Sequence, residues 1–297
     1  MAKVFVTGLD GFTGRYLAEE LVRCGHDVCG IVRTQRSDVP WRVHSCDLLE
    51  RDELTEILSM EKPDAIVHLA AIAFVQHGDI GKIYEVNVVG TRNLLDAVDR
   101  SGCQPQSILL ASSANVYGNS DQEIIDERVP PAPANDYAIS KVAMELVART
   151  WMDKLPIVIA RPFNYTGVGQ DEKFLLPKIV RHFRNRSERI ELGNLHVVRD
   201  FSDVRTVVAA YRQLIERNFA GQTFNVCSGI GHSLQDILST MRQLTGHDIE
   251  VHVNQQFVRP NEVFKLVGNS DKLAGAIDAP TPIPLRDTLA WMLGNPR

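Results

Sequence analysis

The chain carries little of what marks a metal-dependent, membrane-bound or nucleic-acid-binding protein. Its five cysteines, Cys24, Cys29, Cys46, Cys103 and Cys227, show no CxxC spacing, and its nine histidines show no HExxH. No metal site is expected, and an odd number of scattered cysteines reads as the reduced thiols of a cytoplasmic protein. Long apolar runs are also missing. The longest, 65–75, contains His68 and falls far short of the roughly 20 residues that a membrane helix needs. The opening MAKVFVTGLDGF is too short an apolar run for a secretory signal. Nor is there an excess of positive charge: 32 Lys and Arg against 37 Asp and Glu give a net charge of −5, which argues against nucleic-acid and membrane-surface partners. With 297 residues, 44% of them hydrophobic, the chain is an ordinary globular sequence with room for two domains.

What is present is alternation. Short apolar runs at 3–7, 27–33, 41–47, 64–70, 107–113 and 155–161 are separated by helical patterns at 12–24, 51–60, 80–100 and from 136 onward. Strands separated by helices of this length take right-handed crossovers, which predicts a doubly wound parallel α/β sheet of the Rossmann kind. After Pro162 glycines and prolines loosen the pattern, with helices expected near 174–185, 203–217 and 234–245 and the run 223–229 returning to the main sheet. The division expected is a dinucleotide-binding domain of residues 1–163 plus 203–230 and a smaller α/β substrate lobe of residues 164–202 plus 231–297.

TGLDGFTGRYL places Gly8, Gly11 and Gly14 between the first strand and the first helix. A pyrophosphate needs close backbone approach and a helix N-terminus aimed at it, and glycines at this turn allow both. The spacing is GxxGxxG; a tight turn alone would also use such glycines, but the position between strand and helix favours a cofactor. Phe12 and Thr13 belong to the same turn. Arg33 stands at the end of the second strand, where an acidic residue would hold the ribose hydroxyls of NAD, so NADP(H) is favoured with NAD(H) the alternative. A solvated loop arginine beside Arg36 is the competing reading. Asp47 and Leu48 after the third strand are expected near the adenine. Leu69, Ala70 and Ala71 after the fourth are expected near the pyrophosphate and nicotinamide ribose, and Pro162 completes the cofactor set.

Tyr137 and Lys141 in NDYAISK lie four positions apart, on one face of a helix. Such a pair can arise by chance, but Ser113 at the C-terminal end of the fifth strand would meet it at the ligand crevice of a doubly wound sheet. A neighbouring ammonium is expected to lower the phenol's pKa, poising Tyr137 as acid while Ser113 hydrogen-bonds the same substrate oxygen.

YxxxK, the upstream serine and the N-terminal GxxGxxG together resemble the short-chain dehydrogenase/reductase family, over nearly the whole chain. SSANVYG, 112–118, is similar to the extended branch, which acts on nucleotide sugars. The resemblance implies Ser113, Tyr137 and Lys141 as catalytic residues, and gives Asn87 in VNVVGT the part of an asparagine that bends its helix and supports a water path to the lysine. RPFNYTGVGQ, LGNLHVVRDFSDV, FNVCSGIG and RPNE resemble segments that hold the GDP-sugar in this branch's GDP-sugar 4-ketoreductases. Carried over by position, Asn164 and Lys178 would contact the sugar diphosphate, Arg199 and Arg259 the phosphates or ribose, and Glu262 the ribose hydroxyls. His196 could line the site or serve packing. The tail AIDAPTPIPLRDTL departs from the branch's Gly-Trp-x-Pro run.

The resemblance implies NADPH-dependent reduction of the C4 ketone of GDP-4-keto-6-deoxy-D-mannose, giving GDP-D-rhamnose or, from the other face, GDP-6-deoxy-D-talose. A 4,6-dehydratase would want an acid directly after the serine, where Ala114 and Asn115 stand. A 4-epimerase with tightly bound NAD and a non-catalytic NADP sensor are the alternatives. A homodimer is implied through helices near 84–100 and 136–152, although Val86, Leu94, Leu95, Val142 and Leu146 would also suit burial within one chain.

Overall fold

The computed structural model describes residues 1–34, 39–73, 78–257, 263–278 and 281–295. In chain order the strands are β1 (Lys3–Thr7), β2 (Asp27–Val32), β3 (Arg42–Ser45), β4 (Ala65–His68), β5 (Ser107–Ala111), β6 (Ile157–Pro162), β7 (Asn164–Thr166), β8 (Arg189–Leu192), β9 (Val198–Asp203), β10 (Thr223–Val226), β11 (Gly231–Ser233), β12 (Glu250–Val253) and β13 (Lys265–Leu266). The helices are α1 (Phe12–Arg23), α2 (Arg51–Glu61), α3 (Ile80–Tyr84), α4 (Thr91–Ser101), α5 (Asp136–Arg149), α6 (Leu175–Arg184), α7 (Val204–Glu216), α8 (Leu234–Thr245), α9 (Asp271–Ala276) and α10 (Leu285–Gly294).

The main sheet has seven parallel strands in the order β10-β6-β5-β4-β1-β2-β3. Both faces are covered, as parallel strands require. Side chains alternate between two cores: Val4 and Val6 pack with Leu17, Val207 and Tyr211 on the α1 and α7 side, while Phe5 packs with Leu58, Leu94 and Ile108 on the α2 and α4 side. Each such burial contributes about 1.5–3 kcal/mol before chain entropy is counted. The expected helix at 80–100 is interrupted: the π-helical segment Glu85–Gly90 joins α3 to α4.

Two small sheets follow, β11-β9-β13 with β7 also on β9, and β8 with β12. A third core gathers α6, α8 and α10 through Leu176, Phe183, Ile237, Leu238, Leu289 and Met292. The tail that departs from the Gly-Trp-x-Pro run thus supplies a helix to this core. All five cysteines are free; Cys29 and Cys46 are buried, and desolvation pushes both thiols up to about 12. Among the described residues no helix is long and apolar enough to cross a membrane. The C-terminal ends of β1, β4, β5 and β6 share one edge of the main sheet, where a doubly wound fold places its ligand crevice.

Candidate active site

The glycine turn is sterically committed. Gly8 has φ of +70°, and a Cβ there would lie 3.0 Å from the Ala70 backbone. A Cβ on Gly14 would lie 2.2 Å from Gly8 O, so no side chain fits. Gly11 opens α1 without a side-chain cap, leaving first-turn N–H groups facing the crevice for an anion. Phe12 and Thr13 reach across to β7: the Phe12 and Tyr165 rings stack at 6.3 Å, and Thr13 Oγ1 lies 2.8 Å from the Tyr165 hydroxyl. Pro162 ends β6 at the same edge.

Arg33 follows β2 directly and is exposed; Arg36 lies outside the described residues. Asp47 accepts the Leu49 N–H at 3.0 Å, whereas Leu48 is buried at the point where Gly90 has no Cβ. Leu69 and Ala70 are held to β1, Leu69 N–H donating to Thr7 O and Ala70 N–H to Thr7 Oγ1 at 3.1 Å. Ala71 is half-buried beside them.

Ser113, Tyr137 and Lys141 come together. Asn135 caps α5 by accepting the Ala138 N–H at 2.9 Å, which fixes the first turn carrying Tyr137. The Ser113 hydroxyl lies close enough to the Tyr137 phenol to favour its charged form. Lys141 Nζ donates to Ala111 O, the last residue of β5, at 2.9 Å. The electrostatics differ from the expectation. Burial raises the Tyr137 phenol to about 12, and the nearby Ser113 hydroxyl offsets that only in part. Burial also lowers Lys141 to about 8, opposed by the Glu145 carboxylate. Desolvation therefore sets the direction at the phenol, opposite to the lowering expected from the lysine spacing.

Next to Ser113, Asn115 donates both its backbone N–H and Nδ2–H to the Ser113 hydroxyl, at 3.2 and 3.0 Å. Asn87 lies within the π-helical segment and is buried. Its Oδ1 accepts the Ile72 N–H at 2.8 Å, and its Nδ2 donates to Ile72 O and Ser140 Oγ at 3.1 and 3.0 Å. Beneath these groups lies a buried ion pair that sequence reasoning missed: Arg161 grips Glu145 through two bonds, Ser112 Oγ donates to Glu145 at 2.6 Å, and Arg161 Nη1 donates to the Tyr117 hydroxyl. Arg161 adjoins Pro162 in RPF, yet nothing local announces its partner 16 residues back.

In the second half, Asn164 Nδ2 donates to Asp200 O at 3.3 Å, and Arg199 donates to the carbonyls of Val198 and Phe264. Lys178 donates to Glu191 O at 2.7 Å and lies 4.5 Å from the centre of the Phe257 ring, an arrangement that ties α6 to β8. His196 sits in a turn, its N–H donating to Asn194 Oδ1. Arg259 and Glu262 lie outside the described residues. Asp200, also missed, is fully buried and accepts from Ser228 N and Oγ, Gly229 N and Gly268 N, drawing two distant loops onto β9. A cavity of about 140 Å³ between α7 and α9, lined by Thr206, Val226, Cys227 and Leu273 among others, includes none of the Ser113, Tyr137 and Lys141 trio.

The profile of the NAD dependent epimerase/dehydratase family matches residues 4–227. The chain is 33% identical over 278 residues to the GDP-6-deoxy-D-talose 4-dehydrogenase of Aggregatibacter actinomycetemcomitans, covering 93% of this chain and 91% of that one. It is 30% identical over 308 residues to the GDP-6-deoxy-D-mannose reductase of Pseudomonas aeruginosa, covering 99% and 96%. Among solved structures it resembles a crystal structure from Burkholderia cenocepacia J2315, at 51% identity, TM-score 0.93 and coverage of 98% and 97%. It also resembles RMD from Pseudomonas aeruginosa complexed with NADPH, at 30% identity, TM-score 0.86 and coverage of 99% and 98%. The chain therefore belongs to the NAD dependent epimerase/dehydratase family, within the extended branch of the short-chain dehydrogenases/reductases.

Proposed function

We propose that this chain reduces the C4 ketone of GDP-4-keto-6-deoxy-D-mannose in an NADPH-dependent reaction, with Tyr137 as the proton donor. The observation that carries this reading is the convergence of Ser113, just after β5, with Tyr137 and with Lys141, which is anchored to Ala111 O, at the strand edge shared with the glycine turn. The relatives' names point to GDP-6-deoxyhexoses, and RMD is complexed with NADPH.

The glycine turn fits a dinucleotide: the space any Cβ at Gly14 would need is already filled, and α1 begins without a side-chain cap. Gly8, Gly11, Phe12, Thr13 and Gly14 would hold the pyrophosphate, Arg33 the 2′-phosphate, Asp47 and Leu48 the adenine side, and Leu69, Ala70, Ala71 and Pro162 the nicotinamide side. The cofactor supplies the hydride. The chain supplies position and the proton. Ser113 Oγ holds the carbonyl oxygen, and Tyr137, raised to about 12, stays protonated at neutral pH and gives its proton as that oxygen gains charge. Lys141, at about 8, keeps most of its charge at pH 7 and favours the phenolate left behind. Asn164 and Arg199, with Arg259 and Glu262, are the proposed contacts for the nucleotide sugar, in a lobe of residues 164–202 plus 231–297.

Dehydration would need an acid after Ser113; Ala114 and Asn115 supply none, and Asn115 is already a double donor to Ser113. We assign GDP-D-rhamnose as product. The talose relative favours the opposite C4 outcome as a second reading. The protein is proposed to pair as a homodimer through α5 and the π-helical segment, where Val89, Ile139 and Leu146 are 47, 41 and 55% exposed. Leu94 and Leu95 are fully buried within the chain and take no part.

The test is incubation with GDP-4-keto-6-deoxy-D-mannose and either NADPH or NADH, with the product identified by NMR. Faster NADPH oxidation and a GDP-6-deoxyhexose support the reading, and the C4 configuration decides between the two products. No oxidation by a protein purified with bound NAD would overturn it in favour of a 4-epimerase.

A further inference from the structure

Thr7, His68, Thr91 and Asn87 form a line of polar groups beneath the active site, each at most 2% exposed. Burial holds the His68 imidazole neutral, lowering it to about 3, and for a neutral ring the bonds along the line have only one consistent direction. Ala70 N–H donates to Thr7 Oγ1 at 3.1 Å, leaving the Thr7 proton for His68 Nδ1 at 2.7 Å. At the other end, Thr91 Oγ1 donates to Asn87 O at 2.8 Å. Its single proton is thereby committed, so at 2.9 Å from His68 Nε2 it must accept. His68 is therefore protonated on Nε2 and bare on Nδ1. The other tautomer would set two lone pairs against each other at Thr91.

The line does not stop at Asn87. Its side chain clamps the Ile72 backbone and donates to Ser140 Oγ, and Ser140 donates to Tyr137 O at 2.7 Å. An imidazole suits the central place because it offers an acceptor and a donor on opposite edges of one rigid ring, whereas an amide offers both at one end.

We propose that His68, as the Nε2-protonated tautomer, is a positioning residue that joins the glycine-turn end of β1 and the 69–72 loop to the π-helical segment, and through Asn87 and Ser140 holds Tyr137 in place. This rests on the assignment of Tyr137 made above. His68 touches no reacting atom; it acts through the geometry of the groups it connects.

The test has three parts. A long-range ¹H–¹⁵N spectrum of the ¹⁵N-histidine-labelled wild-type protein should show His68 protonated on Nε2 only, down to about pH 5. Thr91→Val, which removes the acceptor for that proton, should lower kcat about tenfold while the NADPH dissociation constant changes less than about twofold, and Thr91→Ser should restore kcat to within about twofold of wild type. Hydrogen exchange should quicken in Thr91→Val at 69–72 and in the first turn of α5, ahead of the rest of the sheet. The NMR and exchange results stand even if the sugar assignment fails, so the two failures are distinguishable. An Nδ1-protonated or charged His68 at neutral pH would overturn the proposal, as would wild-type kcat in Thr91→Val or exchange quickened evenly across the protein.

Discussion

Arg161 Nη2 lies 2.6 Å from Glu145 Oε2 and Arg161 Nε 2.9 Å from Glu145 Oε1, joining β6 to α5 one helical turn beyond Lys141. Both side chains are almost sealed from solvent, at 3 and 2% exposure. Ser112, which also donates to Glu145, is the neighbour of Ser113. One buried carboxylate thus sets the backbone of two site elements and the field around Lys141.

Glu145→Gln strips Arg161 of its charge partner. Loss of one member of a buried pair costs roughly 3–5 kcal/mol, and chemical denaturation should read a loss of that size. Lys141 should respond in a definite direction. Its value of about 8 lies below the ordinary 10.5, and Glu145 opposes that lowering. Between those two values the unfolded chain binds more protons, so this group's contribution makes stability rise with pH there, and its burial cost is fully present below pH 8. The alkaline limb of kcat/KM should accordingly begin near pH 8 in the wild type and move lower in Glu145→Gln.

Gly14→Ala puts a methyl where only 2.2 Å separates it from Gly8 O. Backbone must shift, at about 1–3 kcal/mol. Isothermal titration should show NADPH affinity lost, while circular dichroism shows the helices retained.

Arg33→Ala tests cofactor choice. A charge-assisted contact to the 2′-phosphate contributes about 1.5–3 kcal/mol, so kcat/KM with NADPH should fall by roughly 10–100-fold. With NADH it should hardly change. An equal fall with both cofactors would place Arg33 in the fold and not at the phosphate.

Leu146→Asp together with Ile139→Asp places charges on two exposed apolar positions of α5. Light scattering should show the proposed dimer replaced by a monomer with the thermal midpoint shifted only slightly. An unchanged mass would move the interface elsewhere.

The first half of the fold was legible because its signals are local. KVFVT, a glycine turn and an amphipathic run are enough to mark strand, turn and helix. The second half was less so: β7 and β11 are three residues each and β13 two, too short for a period to register, and they form only because β9 is there to pair with. The same limit applies at the site. Tyr137 and Lys141 share a helix and announce themselves by spacing, and Ser113 closely follows an evident strand. His68 and Thr91, or Glu145 and Arg161, meet only across the folded sheet. Each alone reads as a polar residue in an apolar or helical run. The direction of the Tyr137 shift was misjudged for a related reason, since proximity to an ammonium can be read from spacing and burial cannot.

The most direct measurement is NADPH oxidation with GDP-4-keto-6-deoxy-D-mannose by the wild type and by Tyr137→Phe, alongside NADPH titration of both proteins. The account predicts turnover by the wild type, a loss of about 10²–10⁴-fold in the variant, and NADPH dissociation constants within about twofold of each other. Turnover retained by the phenylalanine variant, or none by the wild type with NADPH bound, would contradict it.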